Sequence, residues 1–378
     1  MHSLIRTALS GLVLSCSAFA QTTWVVDLVP GPGVDFATIQ QAVDAASPGD
    51  IVQVNAPPAD TNYAGFVADK PLLVRGWARI DGAIEIRDIA LGENFELREF
   101  ALVQHGTVGV RVVDCDGVVV LDQLWLAGGP LAGKPRPGIE AVNASQLTAR
   151  LSTVASTSFT DSTVVLQGCT LAPWSAGGTT LTAPPIAATD SRVLLVESEA
   201  AADLFFQPTL AVGQAVWLDN SELFVSRNST VVAPFAPVGA TFCVAGSGAV
   251  HVDPAATMQP GGGATYGPAI VATTERNDPL RVVGQTATLT TEVGDFHAIL
   301  LGLPGATHGV PGVPGVSWLD PTGPLVTVAM GVSATGETTV NLPYPAGAYP
   351  GLPLSWLALT FSTSTGLSLS NPNATILR

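Results

Sequence analysis

The sequence predicts an all-β protein: a stacked β-solenoid opened by one short helix, followed by a small β-sandwich. Three observations predict it. One amphipathic helical segment stands near the start, and no other follows. Short apolar runs with turn residues between them recur from residue 72 to 252. Past residue 280 the rhythm changes to strand-like runs separated by Gly and Pro.

The helical segment comes first. Phe36, Ile39, Val43 and Ala46 fall three or four apart, the period of one helical face. Asp35 is placed to cap the start, and Ser47-Pro48-Gly49-Asp50 stops the helix. Ile51, Val52 and Val54 then open a strand. One helix ahead of many strands is the expected lid of a solenoid, whose first coil would otherwise leave its apolar end in water.

The repeat comes next. The apolar runs include Leu72-Leu73-Val74, Ile84-Glu85-Ile86, Phe95-Glu96-Leu97, Val118-Val119-Val120, Val164-Val165-Leu166, Val193-Leu194-Leu195-Val196 and Leu223-Phe224-Val225. A small polar pair, any residue, then a β-type apolar residue appears as Asp81-Gly82-x-Ile84, Asp116-Gly117-x-Val119, Asp161-Ser162-x-Val164, Asp190-Ser191-x-Val193 and Asn220-Ser221-x-Leu223. Ser162, Ser191 and Ser221 are 29 and 30 residues apart, while other copies stand 17 or 26 apart. One coil per repeat with loops of variable length explains such spacing. Asp, Asn, Ser and Gly at these points serve turns.

The chain divides into four parts. Residues 1–20 read as a signal peptide: His2 and Arg6, an apolar stretch at 8–13, then Ala18-Phe19-Ala20 before Gln21, with cleavage expected between Ala20 and Gln21. A lipoprotein anchored at Cys16 is the weaker alternative, because Val13-Leu14-Ser15 is a poor lead-in. Residues 21–253 are expected to form the solenoid, 254–279 a Gly/Pro-rich linker with Gly261-Gly262-Gly263, and 280–378 a C-terminal β-sandwich domain. Loss of the leader removes one base of 15, leaving 14 against 30 acids and a net charge of −16. Such a chain is a poor partner for nucleic acid or anionic membrane. No transmembrane segment is expected, since Gly, Pro and Asp interrupt every apolar run. Cys115, Cys169 and Cys243 match no zinc spacing and read as small interior hydrophobes; export leaves one disulfide open.

The helical segment and the strands after it resemble the opening of the right-handed parallel β-helix proteins, the pectate-lyase-like superfamily. The likeness rests on Phe36-Ala37-Thr38-Ile39-Gln40-Gln41-Ala42-Val43, on Ser47-Pro48-Gly49-Asp50-Ile51-Val52, and on Lys70-Pro71-Leu72-Leu73-Val74-Arg75-Gly76 before Ile80-Asp81-Gly82. It implies a right-handed parallel β-helix over residues 24 to 252. The tail Gly366-Leu367-Ser368-Leu369-Ser370-Asn371 is similar to the last strand of a small C-terminal domain on planctomycete-type secreted bacterial proteins. Superfamily lyases pair a basic proton abstractor with acidic Ca²⁺ ligands, and its hydrolases use aspartates on successive coils. Other members bind or scaffold, and fold alone does not decide.

Asp114 and Asp116 are the best catalytic candidates. At i and i+2 on a strand they share a face, which suits Ca²⁺ or a glycosidase and equally a turn. Arg111 is off that face by parity. Glu197 and Glu199 read as a solvated corner. His105, His251, His297 and His308 have no partner at ligand spacing. The mature lysines, Lys70 and Lys134, stand apart from any carboxylate cluster. Trp77, Trp125, Trp174 and Trp217 lie in or near separate coils, where indoles stack on sugars or pack in cores. Asn143, Asn228 and Asn373 stand in Asn-x-Ser/Thr triplets, which mean little in a bacterial protein. The expectation is an exported, non-enzymatic protein, secreted or in the cell envelope, without a cofactor, structural or binding a glycan or surface component. An extracellular polysaccharide lyase, with Ca²⁺, or a glycoside hydrolase is the alternative.

Overall fold

The computed structural model describes residues 21–103, 108–127, 137–175, 182–202, 214–233, 242–260, 263–342 and 351–377. Residues 1–20, Lys134, His105 and the Gly261-Gly262 pair lie outside the described residues. The protein is all-β, with one helix and a large parallel sheet.

Parallel pairing runs in three columns, which we call faces A, B and C. On face A one outward position can be followed rung by rung: Ile51, Leu73, Glu96, Val120, Thr148, Val165, Leu194, Phe224, His251, Thr273. Face B stacks Glu85, Arg111, Glu140, Ser158, Ala187 and Trp217 in the same way. Face C stacks Arg79, Ala101, Trp125, Thr153, Thr170, Glu199, Thr230 and Thr257. The residues between them point inward and form one apolar core, including Val74, Leu97, Leu121, Leu147, Val164, Leu195, Leu223 and Val250. The coil from Thr148 to Val165 is the shortest because Ser156 alone joins face C, ending at Ala155, to face B, starting at Thr157. Later coils carry extra residues at this same connection, as between Ala201 and Gln214, whereas the first coils carry theirs elsewhere, at 55–62 and 88–93.

The corners explain the turn residues. Between faces B and A, Asp88, Asp114, Asn143, Asp161, Asp190 and Asn220 all have φ between 47° and 58°. Asp and Asn tolerate this left-handed region better than other side chains. The next residue turns inward, and where it is Ser162, Ser191 or Ser221 its hydroxyl accepts from the rung before: Ser191 Oγ from Ser162 N–H at 3.0 Å, and Ser221 Oγ from Ser191 N–H at 3.0 Å. A second ladder, not foreseen in the sequence, lines the corner between faces A and C. There Gln123, Leu151, Gly168, Glu197 and Asn228 have positive φ. Ser152, Cys169, Ser198 and Ser229 follow them inward, with Ser198 Oγ accepting from Cys169 N–H at 3.0 Å. The motif at Asp116-Gly117 is out of phase: Asp114, not Asp116, is the corner residue equivalent to Asn143.

The helix α1 spans Ile39–Ala45, shorter than the 36–46 expected. Its N-cap is Thr38, whose side chain accepts from Gln41 N–H. Asp35 does not cap it, because its carboxylate accepts from Val25 N–H at 2.8 Å. Ile39, Ala42 and Val43 are buried in the core of the stack. Lys70 Nζ donates to the carbonyls of Asp44 and Ala46, which closes the far end of α1.

The stretch expected as a linker, 254–279, is not devoid of strands. Thr257–Gln259 and Ala269–Thr274 pair with the rungs above them, so the stack runs on to Thr274. Among the described residues its Pro and Gly fall outside the strands, at 254, 260, 263, 267–268 and 279.

The remainder is antiparallel. Leu280–Val283, Thr286–Thr290 and Glu337–Asn341 form a three-stranded sheet. Phe296–Gly302, Leu325–Val332, Pro353–Ser362, Gly366–Leu369 and Asn373–Ile376 form a five-stranded one. Leu280, Val282 and Leu289 of the first pack with Ile299, Leu301 and Trp356 of the second. A hairpin, Pro304–Val310 with Val313–Leu319, covers part of the other face of the larger sheet through Leu319, against Leu300, Leu357 and Leu369.

This antiparallel unit lies against face A. Val118, Val120, Val165, Leu194, Val196 and Phe224 point out of the stack into Val316, Trp318 and Ala374. Asn373 donates to Gln167 Oε1 at 2.7 Å, Thr307 to Ser145 O at 2.8 Å, and Arg227 to Thr291 O at 3.0 Å. A sheet with no solvent on either side favours unbroken apolar runs, and 118–121 and 193–196 are such runs.

Candidate functional site

Asp114 and Asp116 are both exposed and flank inward-pointing Cys115. Asp114 Oδ1 accepts from Asn143 Nδ2 at 2.7 Å, and Asp116 Oδ1 from Ser145 Oγ at 3.3 Å. Both carboxylates therefore hold the corner of the next coil. Arg111 is not beside them: on face B its guanidinium meets Glu140 at 2.9 Å and Glu85 at 3.5 Å. Among the described residues, no group of three or more His, Cys, Asp or Glu side chains is arranged to hold a metal ion.

The other candidates separate in the same way. His251 stacks on Phe224 with ring centroids 4.5 Å apart and lies 3.3 Å from Glu275. His297 is buried, and burial lowers its pKa. His308 Nδ1 lies 3.0 Å from its neighbour carbonyl, Ala306 O. Glu197 is a corner residue 3.9 Å from Arg281, and Glu199 points outward on face C. Cys115, Cys169 and Cys243 are free and buried. Burial pushes the Cys115 thiol up to about 11 and the Cys169 thiol up to about 12, so neither is a ready nucleophile.

Two arrangements were not legible as sites. The first is a charge cluster on face A beneath the antiparallel unit. Arg98 lies 2.8 Å from Glu96 and 3.0 Å from Asp122; Arg150 lies 3.3 Å from Glu96 and 3.2 Å from Asp122. Glu96, Asp122 and Arg150 are almost fully buried. An open cleft of about 190 Å³ is lined by Glu96, Arg98 and Arg150 on one side and by Gln285, Ile376 and Leu377 on the other. Two acids and two bases balance in charge here, while Asp122 Oδ1 and Arg150 Nε and Nη1 lack a hydrogen-bond partner, so the cluster is a polar and incompletely bonded part of the seam.

The second is an aromatic strip at the corner between faces A and C. Gly76 has φ of 149°, and a Cβ there would stand 1.9 Å from Val54 O. Only glycine fits, and the register shift between Arg75 and Ala78 throws Trp77 outward, 72% exposed. Two rungs on, Trp125 is the first residue of its strand on face C, in the column of Arg79 and so two residues past Trp77 along the rung, and is 54% exposed. Two rungs are roughly 9–10 Å along the stack. The rung between them presents Glu99 and the small Ala101, and Gln123 precedes Trp125. Trp217, also exposed, stands apart on face B. Trp174 is in a two-stranded hairpin with Ala183.

No helix among the described residues is long and apolar enough to cross a membrane. No protein-family model matches the chain, and a search of curated proteins finds no match.

Proposed function

We propose that this is an exported, non-enzymatic right-handed parallel β-helix, capped by α1 and carrying a C-terminal β-sandwich, which binds an extended extracellular glycan. The observation that carries the reading is the pair Trp77 and Trp125, both exposed, Trp77 at the corner between faces A and C and Trp125 at the start of face C two rungs on. Exposing an indole forgoes a large apolar gain, and its flat face suits the apolar face of a sugar ring. Glu99, Gln123 and Arg79 stand around the pair and supply hydrogen-bond partners for hydroxyls. The lyase or hydrolase alternative has less support, because Asp114 and Asp116 are engaged at a corner and Arg111 is held by two glutamates on another face.

The test is a panel of neutral and acidic polysaccharides, read by affinity electrophoresis and calorimetry. Trp77→Ala and Trp125→Ala should each weaken binding about tenfold, a loss of roughly 1.4 kcal/mol. Trp217→Ala should leave it unchanged. Binding indifferent to both corner tryptophans would sink the reading. Release of unsaturated or reducing ends, abolished by Asp114→Ala or Asp116→Ala, would replace it with the enzymatic one.

A further inference from the structure

The two ends of the stack are unlike. At the N-terminal end the outer edge of Thr23–Val26 is taken up. Val25 O accepts from Asp35 N–H at 2.9 Å and from Phe36 N–H at 3.2 Å, and Phe36 O accepts from Asp27 N–H at 3.1 Å. Helix α1 packs Ile39, Ala42 and Val43 on the core beside it.

At the other end the last rung of face A, Ala269–Thr274, pairs on one side only, with 247–252. Among the described residues nothing pairs with its outer edge. Five of its six residues are exposed, and Val271 is 66% exposed. A parallel rung turns alternate N–H and C=O groups to its neighbour, so the others face the empty side. Beneath it, Met258, Tyr266 and Ile270 only partly cover the end of the core. Natural sheet edges are blunted by Lys, Pro or bulges. Ala269-Ile270-Val271-Ala272-Thr273-Thr274 contains no charge, no proline and no glycine.

We propose that this end is a self-association surface, on which a second copy of the chain pairs its own Ala269–Thr274 antiparallel to the first in a closed two-fold dimer. The occupant follows from three features. The edge is self-complementary, and the join continues the ladder and core that hold every rung to the next. The N-terminal edge of face A is occupied by 35–36, so the Ala269–Thr274 edge has no matching free strand at the other end of its own face for head-to-tail stacking, and an end-to-end two-fold is the arrangement left. Electrostatics permits it despite the net charge. A dyad normal to the sheet sets outward Ala269, Val271 and Thr273 opposite outward residues, and inward Ile270 and Ala272 opposite inward ones. Glu275, next along the chain, is paired with His251 at 3.3 Å. In antiparallel order the two copies of Glu275 stay roughly 20 Å apart or more.

Sedimentation velocity and light scattering on the chain from Gln21 onward, from low to high micromolar, test this. A dimer is expected. Val271→Lys and Thr273→Lys, both at exposed outward positions, should weaken it roughly tenfold or more, with circular dichroism and thermal midpoint unchanged. Phe361→Ser is the control, since Phe361 lies in another exposed apolar row, beside Phe296 and Leu367 on the antiparallel unit. That variant should remain dimeric. A monomer at every concentration, open-ended growth, or a dimer lost in Phe361→Ser but kept in both lysine variants would each overturn the proposal.

Discussion

Faces A and B share one interior and differ outside. Inward, both present aliphatic columns to the same core, Leu97 and Leu195 from one, Ile84 and Ile186 from the other. Outward, face B carries Glu85, Arg111 and Glu140 in partly exposed ion pairs, while face A carries Val120, Val165 and Leu194 beneath the antiparallel unit. Inward residues set the stack. Outward residues decide which side of it is covered and which is left for partners.

The largest effect expected from breaking this contrast is at the seam. Trp318 is fully buried against face A. Trp318→Ala should cost about 3–5 kcal/mol in denaturant unfolding and open the antiparallel unit to protease. An unchanged midpoint would mean the seam contributes little.

Next come two arginines in similar company but different surroundings. Arg150 is buried between Glu96 and Asp122, while the Arg111 side chain is 45% exposed between Glu85 and Glu140. Removing a partner from a buried pair strands a charge, and Arg150→Ala should cost about 3 kcal/mol. Arg111→Ala should cost less than about 1 kcal/mol. Equal losses from the two would show that burial on face A is not what separates them.

The smallest effect concerns pH at the junction. Arg276 pairs with Asp278 at 2.7 Å and with Asp295. Burial raises the Asp295 carboxyl, but the Arg276 hydrogen bond and charge outweigh it and hold the group below 3.8. Burial holds Asp278 above that value despite the same arginine. A depressed carboxyl adds stability that is present above its unfolded value and lost as pH falls through its folded value. A raised one acts in the opposite sense. Asp295→Asn should therefore flatten the fall in thermal midpoint below pH 3.8, and Asp278→Asn should not. The reverse pattern would show that the assignment is inverted.

Much of the stack was legible because its signals are local. The strands at 51–54, 164–166 and 193–196 and the corners at Asp161, Asp190 and Asn220 stand where the apolar runs and turn residues place them. The second corner ladder was not legible, because Leu151 and Glu197 adopt positive φ without a turn residue's chemistry. Phe95-Glu96-Leu97 alternates as a solvated strand does, yet Glu96 is buried, because its cover is more than 180 residues away in sequence. Runs such as 118–121 did carry a signal for burial on both faces, though not for what buries them. The aromatic strip depends on a glycine and a register shift, and spacing alone does not reveal either.

The cover on face A has a consequence for the order in which the chain matures. Val118 to Phe224 can pair rung by rung as they are made, because each rung meets one only 17 to 30 residues away. Val316, Trp318 and Ala374 come much later. Until they arrive, a finished stack shows Val118, Val120, Val165, Leu194, Val196 and Phe224 to its surroundings, a largely apolar stripe of the kind that aggregates. A chain truncated before residue 316 should hold its coils and still depend on a chaperone to stay in solution.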